Sequence, residues 1–507
     1  MKKCLLFLAL VPCALAAQGG NDRTVLKLNE LDALWSSSSN AAGLVISPYR
    51  EFNALDVRYG WQGGDYRPMQ TGTDVSDLQF DTQGAKQIGK VQVWGRFRYN
   101  NISDKGSSYN TLLYDPFDER FLYTAADTVA GAWKKQSYEM QFKAAMPLTD
   151  YLAAGLHVRY TDRIAAGQID PRAESYHYSI VVKPALAFRG GFGSIGLNGL
   201  YTNTFERSTP SISNTQVNQK VYLLKGLGNW VGEQVGGGGL GTMYFRCNTW
   251  GGAMQYAYDG NWKLFSELSW ARHSTKISES PTQPKPHGNT VRDEFTFSSG
   301  AHFGNGDILH AVSAEASLYI TKGVEPTVTW NTAEGIWVVL TELEQCRMRT
   351  ASASLAYHLY KAEGSGYKTH LQAGLGFEDK ADTYATPASV FSYDNILAEI
   401  GAEHRFAIGQ GSILVAASVR GCKNLQAQYV YSGHRTGTAP VSELYPHNMA
   451  VYSADRLLGS LGAEYAFPVS EGTSLAFCIE GSGTGALCGA LGTMYRWCAA
   501  GAVKLYF

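Results

Sequence analysis

The chain has 507 residues, enough for about two to four soluble domains or for one large barrel. Lys and Arg number 43 and Asp and Glu 44, so the net charge of −1 gives no indication of nucleic acid as a partner. Charged residues make up only 17% and aromatic residues 12%, with 55 glycines. This composition argues against a highly charged soluble protein and favours strands over helices.

The first 16 residues, MKKCLLFLALVPCALA, have the three parts of an export signal. Lys2 and Lys3 supply positive charge, an apolar core follows, and a small-x-small cleavage site ends at Ala16. The apolar run is too short to cross a bilayer as a helix. We therefore expect a cleaved signal peptide over residues 1–16. A lipoprotein with Cys13 as the lipidated residue is the alternative, disfavoured by the preceding proline.

From residue 51 onward, apolar and polar residues alternate in many short segments. In VQVWGRFRY (91–99), the valines, Phe97 and Tyr99 share one face, and the polar residues share the other. Successive side chains of a strand point to opposite faces, so such segments are strands with one apolar and one polar face. Eighteen segments are predicted: 54–61, 75–82, 90–99, 137–146, 151–160, 178–188, 194–205, 250–258, 262–273, 293–303, 309–320, 351–360, 367–378, 394–407, 413–421, 457–467, 474–482 and 497–507.

The connections between these segments alternate between brief turns and long loops. The long loops are predicted near 100–136, 206–249, 274–292, 322–350 and 422–456. Short periplasmic turns and long extracellular loops are typical of outer-membrane barrels, and a membrane sheet must close so that every backbone amide is paired. The sequence therefore predicts an all-β fold over residues 51–507. It is a transmembrane antiparallel up-and-down β-barrel of about 18 strands, with a range of 14 to 20.

An internal repeat supports the strand register. LAEIGAEHRFAIGQG (397–411) and LGSLGAEYAFPVSEG (458–472) share leucine, Gly-Ala-Glu, phenylalanine and a closing glycine at the same offsets. Both are predicted as strands that enter periplasmic turns. Glu403 and Glu464 would then point into the lumen, and Phe406 and Phe467 would lie at the membrane rim.

The chain ends in CAAGAVKLYF, another alternating strand. Val503, Leu505 and Phe507 share its apolar face, and we interpret them as the insertion signal read by the barrel-insertion machinery. Closure of the barrel would pair this last strand with the first.

The faces opposite the apolar ones would line the lumen. Acids and bases are mixed there, so no ring of one charge indicates strong ion selectivity. A cross-lumen lattice of ion pairs that stiffens a partly blocked barrel is favoured over a site for one solute. The lumen-lining candidates are Arg96, Arg98, Arg159, Lys183, Glu267, Glu315, Lys368, Glu378, Glu399, Glu403, Arg405, Glu464 and Lys504.

Catalytic, cofactor and metal signatures are not found in the sequence. It has no G-x-S-x-G or H-E-x-x-H motif, and the glycine run VGGGGLG (235–241) lacks the Lys-Ser/Thr of a phosphate loop. We expect no enzyme, no cofactor and no metal, and we interpret the glycine run as a flexible external loop. The cysteines after the signal peptide lack metal-type spacing, and a Cys488–Cys498 bridge is an open alternative. Residues 426–448 are interpreted as a solvated surface loop rather than a partner contact.

Two stretches carry family resemblances. ALWSSSSNAAGLVIS (33–47) resembles the Asn-Pro-Ala-Gly segment of the long-chain fatty-acid transporter superfamily, although Ala41 stands where that motif has proline. This resemblance implies a periplasmic or plug segment over residues 17–50. The stretch 61–101 and the C-terminal strands resemble an uncharacterised family of Bacteroidota outer-membrane barrels, a domain of unknown function. That second resemblance implies a location and an architecture only.

These observations predict an exported, integral outer-membrane protein of a Gram-negative bacterium. The favoured function is a channel or transporter for a small or hydrophobic solute. The alternative is a non-conducting scaffold whose extracellular loops bind a surface protein. The expected partners are outer-membrane lipid, the barrel-insertion machinery, and a solute or surface protein, with no nucleic acid.

Overall fold

The computed structural model describes residues 22–507 except 215, 217–218, 236–238, 305 and 488–490. The expected signal peptide, Cys488 and the middle of the glycine run lie outside the described residues, so predictions about them stay predictions. The five described cysteines carry no disulfide among themselves. No helix in the described part of the chain has both the length and the apolarity to cross a bilayer.

Eighteen antiparallel strands form one sheet that closes on itself. The first strand pairs with the last, and Asn53 and Phe507 exchange backbone hydrogen bonds of 2.6 and 3.0 Å. The barrel strands are β1 (Phe52–Gly64), β2 (Asp74–Ile88), β3 (Val91–Ser107), β5 (Gly131–Pro147), β6 (Leu152–Gly167), β7 (Arg172–Gly190), β8 (Gly193–Ser211), β11 (Met243–Asp259), β12 (Lys263–Glu279), β13 (Lys285–Gly304), β14 (Ile308–Asn331), β15 (Ile336–Glu363), β16 (Gly366–Tyr384), β17 (Ser389–Ile408), β18 (Gly411–Tyr431), β19 (Arg456–Ser470), β20 (Thr473–Ala486) and β21 (Tyr495–Tyr506).

The remaining elements are short and lie between or before the barrel strands. Strands β4, β9 and β10 form a separate three-stranded sheet. The elements are β4 (Ala125–Ala126), β9 (Lys220–Gly226), β10 (Asn229–Gln234), α1 (Arg23–Asp32), α2 (Gly43–Ile46) and α3 (Tyr445–Tyr452), with a π-helical turn at Pro440–Leu444 before α3.

The predicted fold class is confirmed, and each of the eighteen predicted segments overlaps one barrel strand. The expectation of long loops at 322–350 and 274–292 is wrong. Strands β14 and β15 continue far past the membrane and are joined by residues 332–335 alone, with Trp330 and Trp337 packed edge to face at 5.3 Å. Beyond the hydrocarbon both faces of a hairpin can be wet. The apolar alternation that marks the membrane part therefore fades while the backbone pairing continues.

The outer face of the barrel is apolar. Leu197, Leu375, Leu461 and Ile479 are each more than half exposed, although aliphatic side chains of this size are usually buried in a soluble protein. Exposed aromatic residues gather at the ends of strands near the short turns, as in the girdle of a membrane barrel. They are Tyr151, Phe188, Phe192, Trp262, Phe303, Phe406 and Phe507. A closed sheet with this belt is built to span a bilayer.

Candidate functional site: the barrel lumen and its two internal layers

Residues 22–50, here called the N-terminal segment, lie inside the barrel at the end that carries the short turns. Helix α1 begins after Asp22, whose carboxylate accepts hydrogen bonds from the backbone N–H groups of Thr24 and Val25. This is the usual role of an N-cap aspartate. Leu28 and Leu31 of α1 pack against a buried cluster on the barrel wall that includes Tyr360.

Trp35 anchors the N-terminal segment to the wall. Its ring is 1% exposed and meets Phe265 edge to face at 5.4 Å. Space for the ring comes from Gly43 and Gly196, where an added Cβ would lie 2.3 and 2.7 Å from ring atoms of Trp35. The glycines are therefore required for the close approach of segment and wall.

Asn40, in the Asn-Ala-Ala-Gly stretch of the N-terminal segment, is fully used in hydrogen bonding. Its Nδ2 donates to the carbonyl oxygen of Leu186 and to Oε1 of Gln255, each at 2.9 Å. Its Oδ1 accepts from the backbone N–H of Ala42 at 2.9 Å. Beside it, an added Cβ on Gly155 would lie 2.3 Å from the backbone nitrogen of Ala42. This part of the segment is tightly fitted to β6, β7 and β11.

Elsewhere the N-terminal segment is held mainly by charged and polar groups. Arg23 pairs with Glu403 at 2.9 Å, and Arg405 pairs with Asp22 at 3.2 Å. Further contacts across the lumen join Lys263 to Asp32 at 3.3 Å, Lys143 Nζ to the carbonyl oxygen of Ser38 at 3.0 Å, and Ser38 Oγ to Glu267 at 2.9 Å. The segment thus spans the lumen from β5 to β17.

Three further stretches fold into the other end of the lumen and form what we call the outer layer, residues 108–130, 219–235 and 440–452. Its three-stranded sheet pairs β4 with β9 and β9 with β10. Leu112, Leu113 and Tyr123 are 0% exposed and pack with Phe245 of the wall. The outer layer is therefore held by an apolar core.

The interpretation of residues 426–448 as a solvated surface loop is wrong. Strand β18 continues to Tyr431, and the residues that follow enter the outer layer. Leu444 is 2% exposed and Val441 6%, and Asn448 Oδ1 accepts a 3.0 Å hydrogen bond from the backbone of Met69. The apolar residues are too few and too irregularly spaced in the sequence to signal burial.

Two outer-layer acids have shifted pKa values. Burial and the charge of its surroundings act in opposite directions on Asp118, and the hydrogen bonds and charge of Arg120 at 2.6 Å hold its pKa below the usual value. Burial raises the pKa of Asp127 to about 7, against a 3.1 Å hydrogen bond from the backbone N–H of Val129. Asp127 therefore changes charge near neutral pH.

Three cavities follow one another along β15, β16 and β17, from the outer layer to α1. The outer cavity, between the outer layer and the wall, holds about 340 Å³, the middle cavity about 590 Å³, and the inner cavity, beside Arg23, about 360 Å³. On β16 alone, the inward residues pass from one cavity to the next: Asp382 and Lys380 in the outer cavity, Glu378, Gly376 and Gly374 in the middle cavity, and Gln372 and His370 in the inner cavity.

The middle cavity exists because the inward residues of its wall are small. An added Cβ on Gly374 would lie 3.6 Å from the nearest atom, an ordinary contact, and one on Gly300 would meet nothing within 4 Å. Ser354 faces inward and is nevertheless exposed. The other small inward residues are Ser298, Ser317, Ser352, Ala356 and Gly376. This side of the lumen, β14 to β18, is called the hollow side below.

Most of the sequence-predicted lumen residues lie on inward positions, as part of ion pairs or cavity walls. Arg96 and Arg98 both contact Asp81, at 2.5 and 2.7 Å, and Lys504 contacts Glu464 at 3.1 Å. Glu399 pairs with Arg420 at 2.5 Å in the middle cavity. Glu315 and Glu378 line the same cavity, and Glu267 and Glu403 hold the N-terminal segment. Arg159 and Lys183 lie on inward positions of β6 and β7.

Lys368 is placed differently from the other candidates. The register shifts next to it, so Tyr367, 1% exposed, faces the interior. Lys368 lies at the rim, where it contacts Glu363 at 3.6 Å. A bulge of this kind has no signal in the alternation of a single strand.

A polar cluster beside α1 was missed by the sequence reasoning. His370 lies 3.4 Å from Glu403 and 3.0 Å from the ring nitrogen of His358, and its ring stacks on Tyr360 at 4.3 Å. The hydroxyl of Tyr367 donates to Glu403. These residues come from three strands, and only the register brings them together. Among the described residues, no group of His, Cys, Asp and Glu has the arrangement of a metal site.

The model of the Family of unknown function (DUF6850) matches residues 41–507. The chain belongs to this family. That agrees with the predicted resemblance to a domain of unknown function, while the Bacteroidota origin and the likeness to fatty-acid transporters stay predictions. No curated protein matches the chain.

Among solved structures, the chain is similar to three barrels at low identity. The siderophore receptor PiuA from Acinetobacter baumannii gives a TM-score of 0.45 and 9% identity over 92% of this chain and 85% of that chain. The ferric preacinetobactin receptor BauA from the same organism gives 0.40 and 10% over 90% and 80%. The outer membrane transporter YddB from Escherichia coli gives 0.40 and 8% over 90% and 81%.

Proposed function

We propose that this protein is an integral outer-membrane transporter for a small polar solute, with a path along β15, β16 and β17 that the N-terminal segment gates. Outer-membrane location is supported by the apolar belt on a closed barrel and by the expected signal peptide. The middle cavity has three carboxylates, on Glu315, Glu378 and Glu399, against the one guanidinium of Arg420. A cationic or neutral solute therefore fits this path better than an anion.

The row of three cavities carries this proposal. Each cavity is lined by successive inward residues of the same strands, and the row ends at Arg23 and Glu403. The rest of the lumen is filled by the outer layer and by the Trp35 end of the N-terminal segment. A stiffening lattice of ion pairs alone does not require a hollow on one side.

The start of α1 is the natural moving part. Its ion pairs are partly exposed, and the Arg23 side chain is 47% exposed. Pairs of this kind contribute about 0.2–1 kcal/mol each. The start of α1 can therefore swing away at far lower cost than the buried Trp35 end, which serves as a fixed hinge anchor.

A disulfide that locks α1 to the wall tests the gate. An added Cβ on Gly366 would lie 3.2 Å from the Cβ of Thr24, close to the separation of about 3.5–4.5 Å in disulfides. We expect the double variant T24C/G366C, in liposomes, to pass small sugars and amino acids when reduced and to lose that flux when oxidised. The variants T24C and T24A/G366C should be insensitive to oxidant and control for the native cysteines. Equal flux with the lock open and closed, in protein shown to carry the disulfide, would reject the gate.

The scaffold remains a second candidate because of one surface. The projecting end of the β14–β15 hairpin exposes Ile336, Leu340 and Leu343, at 47%, 64% and 53%. Exposed apolar side chains on a protruding hairpin suit a protein partner. A barrel that shows no flux in any redox state of T24C/G366C, and that loses a co-purifying partner in L340S/L343S, would favour the scaffold over the transporter.

A further inference from the structure

The outer cavity is enclosed by the outer layer on one side and by β15, β16 and β17 on the other. Its volume of about 340 Å³ is at the small end of known ligand pockets. Phe117 lines it and is 44% exposed, so the cavity approaches solvent there. Leu227, from the turn between β9 and β10, closes it on the inside and is 2% exposed.

Aromatic rings form much of the lining. Phe391 meets Tyr445 edge to face at 6.0 Å, and Tyr393 stacks on Tyr452 at 5.7 Å. The Tyr445 and Tyr452 rings come from α3, and the other two come from β17. Rings fixed in this way can hold a flat apolar body and also attract a positive charge to their faces.

The charged floor of the cavity leaves one buried oxygen unused. Lys380 Nζ lies 2.5 Å from Glu119 and 3.3 Å from Oδ2 of Asp382. Asp382 is 2% exposed, and its Oδ1 has no hydrogen-bond partner among the described residues. A buried acceptor without a donor is costly, and such atoms are uncommon in folded proteins.

The charges around this floor favour an added cation. Arg292 lies 3.8 Å from Glu119 and 3.9 Å from Glu294, so two cationic side chains face the three carboxylates of Glu119, Asp382 and Glu294. The remaining titratable neighbour is His273, 3.4 Å from Glu294 and farther along that chain of contacts.

We infer that the outer cavity binds a small aromatic amine, with its ammonium group donating to Oδ1 of Asp382 and its ring packed among Phe391, Tyr445 and Leu227. The ammonium supplies the missing donor, and the rings remove the apolar body from water. This inference deepens the proposed function, because it names a ligand at the outer end of the path. It is measured by binding alone, so either can fail without the other.

Calorimetry with tryptamine on the full-length protein in lipid nanodiscs tests the inference, with empty nanodiscs as the blank. Tryptamine is a cation at pH 7, and indole-3-propionate has the same ring with an acid in place of the amine. We expect saturable tryptamine binding at least tenfold tighter than that of indole-3-propionate. D382N should weaken tryptamine binding at least tenfold.

Two further variants keep the test decisive if D382N folds poorly. M348W, which places a large ring at a lining position, should abolish tryptamine binding while the heat-modifiable gel shift of the barrel is retained. D293N is the matched control, because Asp293 is a strand carboxylate paired with Arg272 at 2.8 Å outside the cavity, and it should bind tryptamine as the native chain does. Binding of tryptamine no tighter than of indole-3-propionate, or retained in M348W, would overturn the inference.

Discussion

The two sides of the lumen differ in how their inward residues are used. On the side of β5 to β12, here the packed side, Trp35 and the apolar core of the outer layer fill the interior, and an added Cβ on Gly155 would collide with Ala42 at 2.3 Å. On the hollow side, the same addition at Gly374 finds ordinary contact at 3.6 Å. One closed sheet thus carries a filled half and an empty half.

This difference separates stability from function within one fold. Buried rings on the packed side remove a large apolar area from water and hold both internal layers in place. Small residues on the hollow side contribute little to burial, and their arrangement along three strands is explained by a path. Substitutions on the two sides should therefore have different consequences.

The largest expected effect is on the packed side, at the anchor of the N-terminal segment. W35A removes a ring that is 1% exposed and leaves a cavity, so we expect a loss of about 3–5 kcal/mol in the free energy of unfolding or in local release of the segment. Limited proteolysis of residues 22–50 measures the release. W330A, on the projecting hairpin, should leave the proteolysis rate of those residues unchanged.

A matched pair of glycine variants compares the two sides directly. G155V introduces a collision with the backbone of Ala42 and should destabilise the N-terminal segment by about 1–3 kcal/mol. G374V has room and should change unfolding by less than about 0.5 kcal/mol. Urea unfolding followed by tryptophan fluorescence provides the measurement. A larger loss in G374V than in G155V would reverse the assignment of the two sides.

Filling the hollow side should reduce transport without unfolding the barrel. S354W places a large ring in the middle cavity, where Ser354 is exposed to the lumen. We expect the flux of small sugars into liposomes to fall at least fivefold while the heat-modifiable gel shift is retained. Unchanged flux in the folded variant would place the path elsewhere.

The smallest expected effect concerns Asp127 of the outer layer. Burial raises its pKa to about 7, so between about pH 4 and pH 7 the folded state holds a proton that the unfolded state has released. Its contribution to stability therefore falls as the pH rises through that range. D127N keeps the oxygen that accepts from Val129 and should stabilise the protein by about 1 kcal/mol more at pH 8 than at pH 4. Equal effects at both pH values would contradict the raised pKa.

The sequence predicted the barrel well because its signals are local. Period-two alternation and brief turns locate all eighteen strands, and the same alternation places Glu403 and Glu464 inside. The outer layer has no such signal, since Leu112, Tyr123 and Leu444 lie in separate loops without a repeating pattern. The hollow side depends on which small residues of neighbouring strands face one another, and register sets that across the whole sheet.

The account depends most on a path along the hollow side. Cysteine labelling in liposomes tests it directly, by comparing S354C in the middle cavity with T204C, which replaces a 1% exposed residue on the packed side. The account predicts that a small charged thiol reagent modifies S354C at least tenfold faster than T204C and that this modification reduces sugar flux. Modification of T204C at the same rate, or unchanged flux after S354C is fully modified, would contradict it.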